Sequence, residues 1–390
     1  MAILSLKKID FVFSLICVGF VIGYSIISFL DFLENKDICE ISFKTFHSQQ
    51  SYRYPSFTMC LTSPFVAEKF SNFSSPLDPV YYYDLYLRGI VNGSVSLENT
   101  AYEDVSITEP DFITSANVRY KDEERSEINI TKVQTHSWNM KILFMKCFTF
   151  DIPYLENALA DALRISFNNS IFPNGIRPND GYDNGGIQIF EHFPKQFGRS
   201  YSSHRRFWNN RSSNKGYYMR FYMKGMEVVE KRHKRYEECV DDTDFDDAMA
   251  RHMMNTLRCR PPYMNSNWGN FNVCTEQKKL YEAGGLFFKG FYGNSNLTEP
   301  CSEIRQLDIS YEETDSDEPA DDQISLKFYF VAKGYKEIRQ VAAYGLMSLF
   351  GNVGGFVGLL LGYAMVHLPG SIHATLKYLR REIVAVKNEK

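Results

Sequence analysis

Two apolar runs, one near each end of the sequence, constrain the fold more than any other feature. Phe11–Leu30 contains no charged residue in 20 positions. At about 1.5 Å per helical residue it matches a hydrocarbon core of about 30 Å. Residues 341–368 form a second such run. Lys7 and Lys8 precede the first run, and Asp31, Glu34 and Asp37 follow it. His373, Lys377, Arg380, Arg381 and Lys387 follow the second. Basic residues gather on cytoplasmic flanks, so both ends are expected inside and the middle block outside. A signal peptide has a shorter apolar region and a small-x-small cleavage site, and the first run fits neither. A lipid-anchor signal ends in its apolar tail, whereas polar residues follow Leu368. The expected segments are a cytoplasmic stretch 1–10, a transmembrane helix 11–31, an extracellular domain 32–340, a second transmembrane helix 341–368 and a cytoplasmic stretch 369–390. Such a chain belongs in the plasma membrane as a multi-pass protein.

The middle block explains why overall composition looks soluble. The chain is 44% hydrophobic and 23% charged, which excludes a disordered, collagen-like or many-pass protein. A net charge of −4 gives no argument for nucleic acid as a partner. N-x-S/T sequons at Asn72, Asn92, Asn129, Asn168, Asn210 and Asn296 all lie in the block and suit glycosylation there. So do Cys39, Cys60, Cys147, Cys239, Cys259, Cys274 and Cys301, most of which an oxidising compartment would pair. Cys39 is the candidate for the odd thiol, and Cys17 falls inside the first run.

The second run is not a plain anchor. Gly351, Gly355, Gly358 and Gly362 are spaced 4, 3 and 4, which puts them on one helical face, and Ser348 extends it. Such a face permits close helix packing. It also permits a helix to line a narrow symmetric axis where bare backbone faces an ion. Within the block, Leu155–Ile165 and Phe245–Leu257 carry helical spacing, the second with Thr243 as a cap and Asp244, Asp246 and Asp247 in its first turn. Residues 141–150, 187–190, 217–223 and 325–332 read as strands, the last leading almost directly into the second span. Residues 308–322 hold eight acids and no base, the pattern of a solvated loop or a cation sensor. No metalloprotease, hydrolase, redox or phosphate-loop motif is present, and no cofactor or metal is expected. His252 reads as a packed or surface residue, and His367 as a weak pore-lining candidate.

Several segments resemble the degenerin/epithelial sodium channel/acid-sensing channel family. Tyr54-Pro55-Ser56-Phe57-Thr58-Met59-Cys60 is similar to its F-P-x-V-T-x-C segment, and Lys146-Cys147-Phe148-Thr149-Phe150 to its K/N-C-Y-T-F segment. Tyr335, Ala343-Tyr344 and the stretch from Gly351 through Asn352, Gly354, Gly355 and Gly358 to Gly362 resemble its G-D-I-G-G-x-x-G-L-x-x-G ending. Cys239 and Cys259-Arg260-Pro261-Pro262-Tyr263 echo its cysteine-rich thumb. The resemblance implies an α+β membrane protein. Two transmembrane helices would flank a large, disulfide-containing, β-rich ectodomain of palm, finger, thumb and knuckle, assembled as a homo- or heterotrimer. It implies the bridges Cys60–Cys147, Cys239–Cys301 and Cys259–Cys274, with Cys39 left over.

The function it implies is a stimulus-gated cation channel, usually for sodium. The Ser348, Asn352, Gly355, Gly358 face would line the pore, with Gly362, Tyr363 and Ala364 at the constriction. The chain departs from the family where G-x-S becomes Gly362-Tyr363-Ala364 and where Asn352 replaces an acid. Pro369-Gly370 stands where a further acid is expected, and fewer carboxylates weaken a cation-favouring field. The rivals are a non-conducting accessory subunit, an ATP-gated two-span trimer and a two-span scavenger or adhesion receptor. Monovalent cations, sister subunits and the lipid bilayer are the expected partners.

Overall fold

The structure is a computed structural model that describes residues 2–34, 37–46, 53–62, 64–71, 79–90, 101–121, 126–139, 144–156, 158–168, 187–197, 205–207, 217–232, 239, 245–264, 270–291, 297–314, 323–343 and 345–361. The chain divides into two compact units, Met1–Glu40 with Gln340–Lys390, and Ile41–Arg339.

The terminal unit contains two helices. Helix α1 is Ala2–Glu34, and its Ile16–Glu34 portion is long and apolar enough to cross a membrane. The second helix, Leu346–Leu361, contains a shorter apolar stretch, Leu346–Leu359. Helix therefore starts later than the apolar run at 341 suggests. Val341 and Ala342 still belong to a strand, because a β-branched and a small residue extend a ladder already formed.

The large unit is built on two sheets. In chain order its elements are β1 (Asp37–Thr45), β2 (Ser56–Thr62), α2 (Pro79–Arg88), α3 (Tyr102–Val105), α4 (Glu109–Phe112), β3 (Ile113–Lys121) and β4 (Glu127–Asn129). They continue with β5 (Gln134–Asn139), β6 (Phe144–Phe150), β7 (Leu159–Asn168), β8 (Ile187–His192), β9 (Arg205–Phe207) and β10 (Tyr217–Glu230). The last are α5 (Phe245–Leu257), α6 (Gln277–Phe291), β11 (Ser302–Thr314), β12 (Gln323–Phe330) and β13 (Gly334–Ala342), so the Leu346–Leu361 helix is α7. The larger sheet runs β1-β13-β10-β12-β7-β3-β4 with β11 added on β10, and the smaller runs β5-β6-β2-β8-β9.

Stacking follows from burial. Every residue of β6 and β8 is buried, and six of the seven in β2, so the smaller sheet is covered on both faces. One face meets the larger sheet, with Phe57 4.4 Å from Phe328 between ring centroids. The other meets α2, α5 and α6 through Trp138, Phe144, Met145, Met249, Met253, Leu280 and Phe287. The larger sheet buries one face, with Phe221 stacked 4.6 Å from Phe328, and on the other presents Arg164, Arg220, Lys327, Tyr222 and Tyr329, exposed or half-buried over the smaller buried Ala162, Ser166 and Ser325. The order is thus helices, small sheet, large sheet, a three-layer arrangement.

The structure departs from two expectations. Leu155–Ile165 does not form a helix; Leu159–Asn168 is strand β7, paired with β3 and β12. Leu163, Ile165 and Phe167 alternate into the core, while Ala160 and Ala162 are buried on the other parity and imitate helical spacing. The last strand before α7 is also not 325–332 but β13, which pairs in parallel with β10. The expectation for Phe245–Leu257 matches α5, whose buried stripe is Phe245, Met249, Met253 and Leu257. Thr243 and Asp244, its expected cap and first acid, lie outside the described residues.

Two glycines are fixed by close approach. Gly89 ends α2 with φ +72, and a Cβ there would lie 2.8 Å from the Gln277 carbonyl oxygen and from Tyr281 on α6. At Gly334 a Cβ would lie 2.0 Å from the Lys44 carbonyl oxygen, so only glycine lets β13 pass β1.

Candidate functional site

The face of α7 expected to line a pore can be traced residue by residue. Ser348, Gly351, Asn352, Gly355 and Leu359 are exposed, whereas Leu349 is buried and Val353, Phe356 and Val357 are half-buried. A Cβ at Gly351 or Gly355 would meet nothing within 4 Å. Phe356 stacks on Tyr24 of α1 with centroids 4.2 Å apart. One side of helix α7 packs on α1 through Phe356. The open side carries Ser348, Asn352 and Gly355 among the exposed apolar residues Leu346, Met347, Phe350 and Leu359. Gly358, assigned to the same stripe from spacing, is half-buried at its edge. Gly362, Tyr363, Ala364 and His367 lie outside the described residues.

One feature of α1 escaped the sequence reading. Gly19 and Gly23 form a G-x-x-x-G pair, and a Cβ at either would meet nothing within 4 Å. With Ile16, Phe20, Tyr24, Ile27 and Phe356 they line an open groove of about 450 Å³. The G-x-x-x-G spacing is the sequence signal for this groove.

In the large unit, the cysteines close as Cys60–Cys147, Cys239–Cys301 and Cys259–Cys274. Cys17 and Cys39 are unpaired. Cys60 and Cys147 are direct cross-strand partners on β2 and β6. Cys239 and Cys259 bracket α5, so one bridge ties its approach to the start of β11 and the other ties its exit to Cys274.

Within the large unit, two segments that carry the family resemblance, Tyr54–Cys60 and Lys146–Phe150, pair through β2 and β6, and Tyr335 joins them through Phe46. Phe46 stacks on Tyr54 at 4.3 Å and lies 5.5 Å from Tyr335, while Tyr54 meets Phe330 edge-on at 5.0 Å. Arg53 bonds Glu230 and Ser302 beside this cluster. Lys146 is buried, its Nζ 3.0 Å from Glu103 and 2.8 Å from the Ser106 hydroxyl. Burial pushes that ammonium below its ordinary pKa, and Glu103 offsets part of the effect.

Sealed inside the smaller sheet is a hydroxyl–imidazole chain. His192 Nδ1 donates to the Phe193 carbonyl oxygen at 2.6 Å, and its Nε2 lies 2.6 Å from Thr58, which lies 2.6 Å from Thr149. Desolvation holds the imidazole below its ordinary pKa, against the carboxylates of Asp246 and Asp151. Asp246, expected only as a dipole partner of α5, also accepts the Phe197 amide at 3.0 Å. His252 is half-buried on α5. Among the described residues no cluster of His, Cys, Asp or Glu could hold a metal ion.

Of the sequons, Asn129 is exposed at the end of β4 and Asn168 is half-buried at the end of β7. Asn72, Asn92, Asn210 and Asn296 lie outside the described residues, as does 315–322 of the acidic segment.

No protein-family model matches the chain. No curated protein matches it either. Among solved structures, one described as a cryo-EM structure of a proton-activated chloride channel aligns over 96% of this chain and 98% of its own. The identity is 8% and the TM-score 0.31, too low for the likeness to carry an argument about fold or function.

Proposed function

We propose that the chain is one subunit of a trimeric, stimulus-gated cation channel of the plasma membrane. Its large unit would sense the stimulus outside, and α7 would line the pore. The observation that carries this reading is a stripe of small and polar residues, Ser348, Asn352 and Gly355, left open on an otherwise apolar α7 whose Phe356 packs on α1. An anchor in lipid has no use for Asn352 and Ser348 on its open side, because unpaired polar groups in hydrocarbon are costly. Around a threefold axis the same groups face water and ions. The three cysteine pairs agree with those the family resemblance implies, which supports the same assignment.

Sodium is the proposed principal ion, glycosylation is proposed at the outer sequons, and no enzymatic activity is proposed. Currents across membranes expressing the chain, with sodium, potassium or N-methylglucamine outside, test the reading. Sodium and potassium current is expected, with N-methylglucamine excluded. Gly355→Leu is expected to abolish it and Asn352→Asp to raise cation preference. No current under acid, peptide or stretch would favour an accessory subunit. A cation current indifferent to Gly355 and Asn352 would sink the pore assignment.

A further inference from the structure

The open face of the larger sheet carries a row of cations that the channel reading does not use. Arg220 on β10 is in register with Lys327 on β12, and Lys327 with Arg164 on β7. Side chains of in-register residues leave a sheet on the same face. Ring and hydroxyl contacts establish that face. Tyr222 and Tyr329, one step along, stack at 5.2 Å, and Ser166 and Ser325, one step the other way, bond at 2.7 Å. Arg164 is exposed, and Arg220 and Lys327 are half-buried.

Like charges directly opposite one another disfavour a sheet slightly, and an anion lying across the row would remove that repulsion. None of the three forms an ion pair with another described residue. Glu312, the cross-strand partner of Arg220, accepts instead from the Tyr222 hydroxyl at 3.1 Å. Arg220 Nε is buried with no hydrogen-bond partner. The guanidinium sits over the Tyr218 ring at 5.1 Å, and the Lys327 ammonium over Tyr329 at 4.9 Å. The field reaches the neighbouring phenol: burial pushes Tyr329 up, but Lys327, Tyr218 and Arg220 together hold it below its ordinary pKa.

We propose that Arg164, Lys327 and Arg220 form a binding row for an elongated polyvalent oxyanion, a short phosphate chain or a polycarboxylate, lying across β7, β12 and β10. Two strand spacings separate the outer cations, about 10 Å, so one small monovalent anion cannot satisfy both ends. Two guanidiniums supply planar forks and the ammonium between them a point charge, a set suited to several anionic groups in line. The Tyr222–Tyr329 pair forms one wall. The proposal stands whether or not the chain conducts ions.

Calorimetric titration of the full chain in detergent, at fixed ionic strength, tests it. Tripolyphosphate and tricarballylate separate the phosphate from the carboxylate source; orthophosphate and chloride are the controls. Saturable binding of at least one of the two polyvalent probes, ten times or more tighter than orthophosphate, is expected. Arg164→Gln, Lys327→Gln and Arg220→Gln should each weaken it about tenfold or more. Lys327→Arg, which keeps the charge, should retain binding, and Lys278→Gln on α6 should leave it unchanged. Binding no tighter than chloride, or equal binding by the three Gln variants and wild type, overturns the proposal.

Discussion

The two sheets treat polar groups in opposite ways. In the smaller sheet, covered on both faces, buried polar side chains such as Thr58, Thr149, His192 and Lys146 each have a partner within 3.0 Å. In the larger sheet the covered face is apolar, and on the open face Arg164, Lys327 and Arg220 stand abreast without ion pairs among the described residues. Water is the difference. An unmet group inside costs its whole desolvation energy, whereas an unmet cation outside costs little until something binds it. Polar residues in the sealed sheet therefore hold structure, and those on the open face are free to recognise a ligand.

The largest expected effect tests the sealed side. Phe148 is fully buried in β6, its ring 5.2 Å from Phe112. Phe148→Ala should lower stability by about 3–5 kcal/mol in denaturant titrations. Lys327→Ala on the open face should change it by less than about 0.5 kcal/mol. Similar losses for both would erase the contrast.

Next comes the bridge beside α5. Replacing Cys259 and Cys274 by serine frees a 15-residue separation and should cost about 3 kcal/mol, read as a lower unfolding midpoint. Because α5 packs on the sealed sheet, near-UV circular dichroism from Trp138 should weaken in the same variant.

A smaller effect concerns His192. Its folded-state pKa is lowered from 6.5, so as acid is added the unfolded chain takes up this proton first. Stability from this group is full above about pH 6.5 and falls below it, by at most about 1.4 kcal/mol per pH unit. Denaturation midpoints between about pH 5.5 and 7 should show the slope in wild type and lose it in His192→Gln. The charged and titratable groups acting on the ring are Asp246, Asp151 and His136, all of which His192→Gln retains. An unchanged slope would remove His192 as its source.

The smallest effect sharpens the comparison through phenols. Burial raises the pKa values of Tyr54, Tyr83, Tyr102 and Tyr263, while Tyr329 is held down chiefly by Lys327 against its own burial. Ultraviolet titration should therefore show an early-ionising tyrosine that moves up in Lys327→Gln. The late phenols should not respond.

Legibility in the sequence followed how many faces an element buries. Helix α5 was readable because a single stripe from Phe245 to Leu257 is buried against a polar remainder. Strand β7 was misread because alanines at 158, 160 and 162 are buried on the parity opposite Leu163 and Ile165, hiding the period of two. Strands β1 and β13 went unrecognised. Their pairing rests on a contact made far apart in sequence, where Lys44 and Gly334 pass. Cysteine pairing came through resemblance, since spacing alone left the partners open. The open stripe on α7 was legible as helical spacing, but its neighbour α1 could be assigned only once Tyr24 was seen against Phe356. The cation row was invisible in one dimension: Arg164, Arg220 and Lys327 come from three distant segments that only the register brings abreast.

The bridge between β2 and β6 sets an order of events during synthesis. Cys60 leaves the ribosome 87 residues before Cys147, a wait on the order of ten seconds. During that interval Cys39 is the nearest thiol already made, and it is the one that stays exposed and unpaired in the finished fold. A premature 39–60 link would withhold the central strand of the smaller sheet from its partner. Removing Cys39 should therefore raise the yield of correctly oxidised chain without altering the stability of the molecules that succeed.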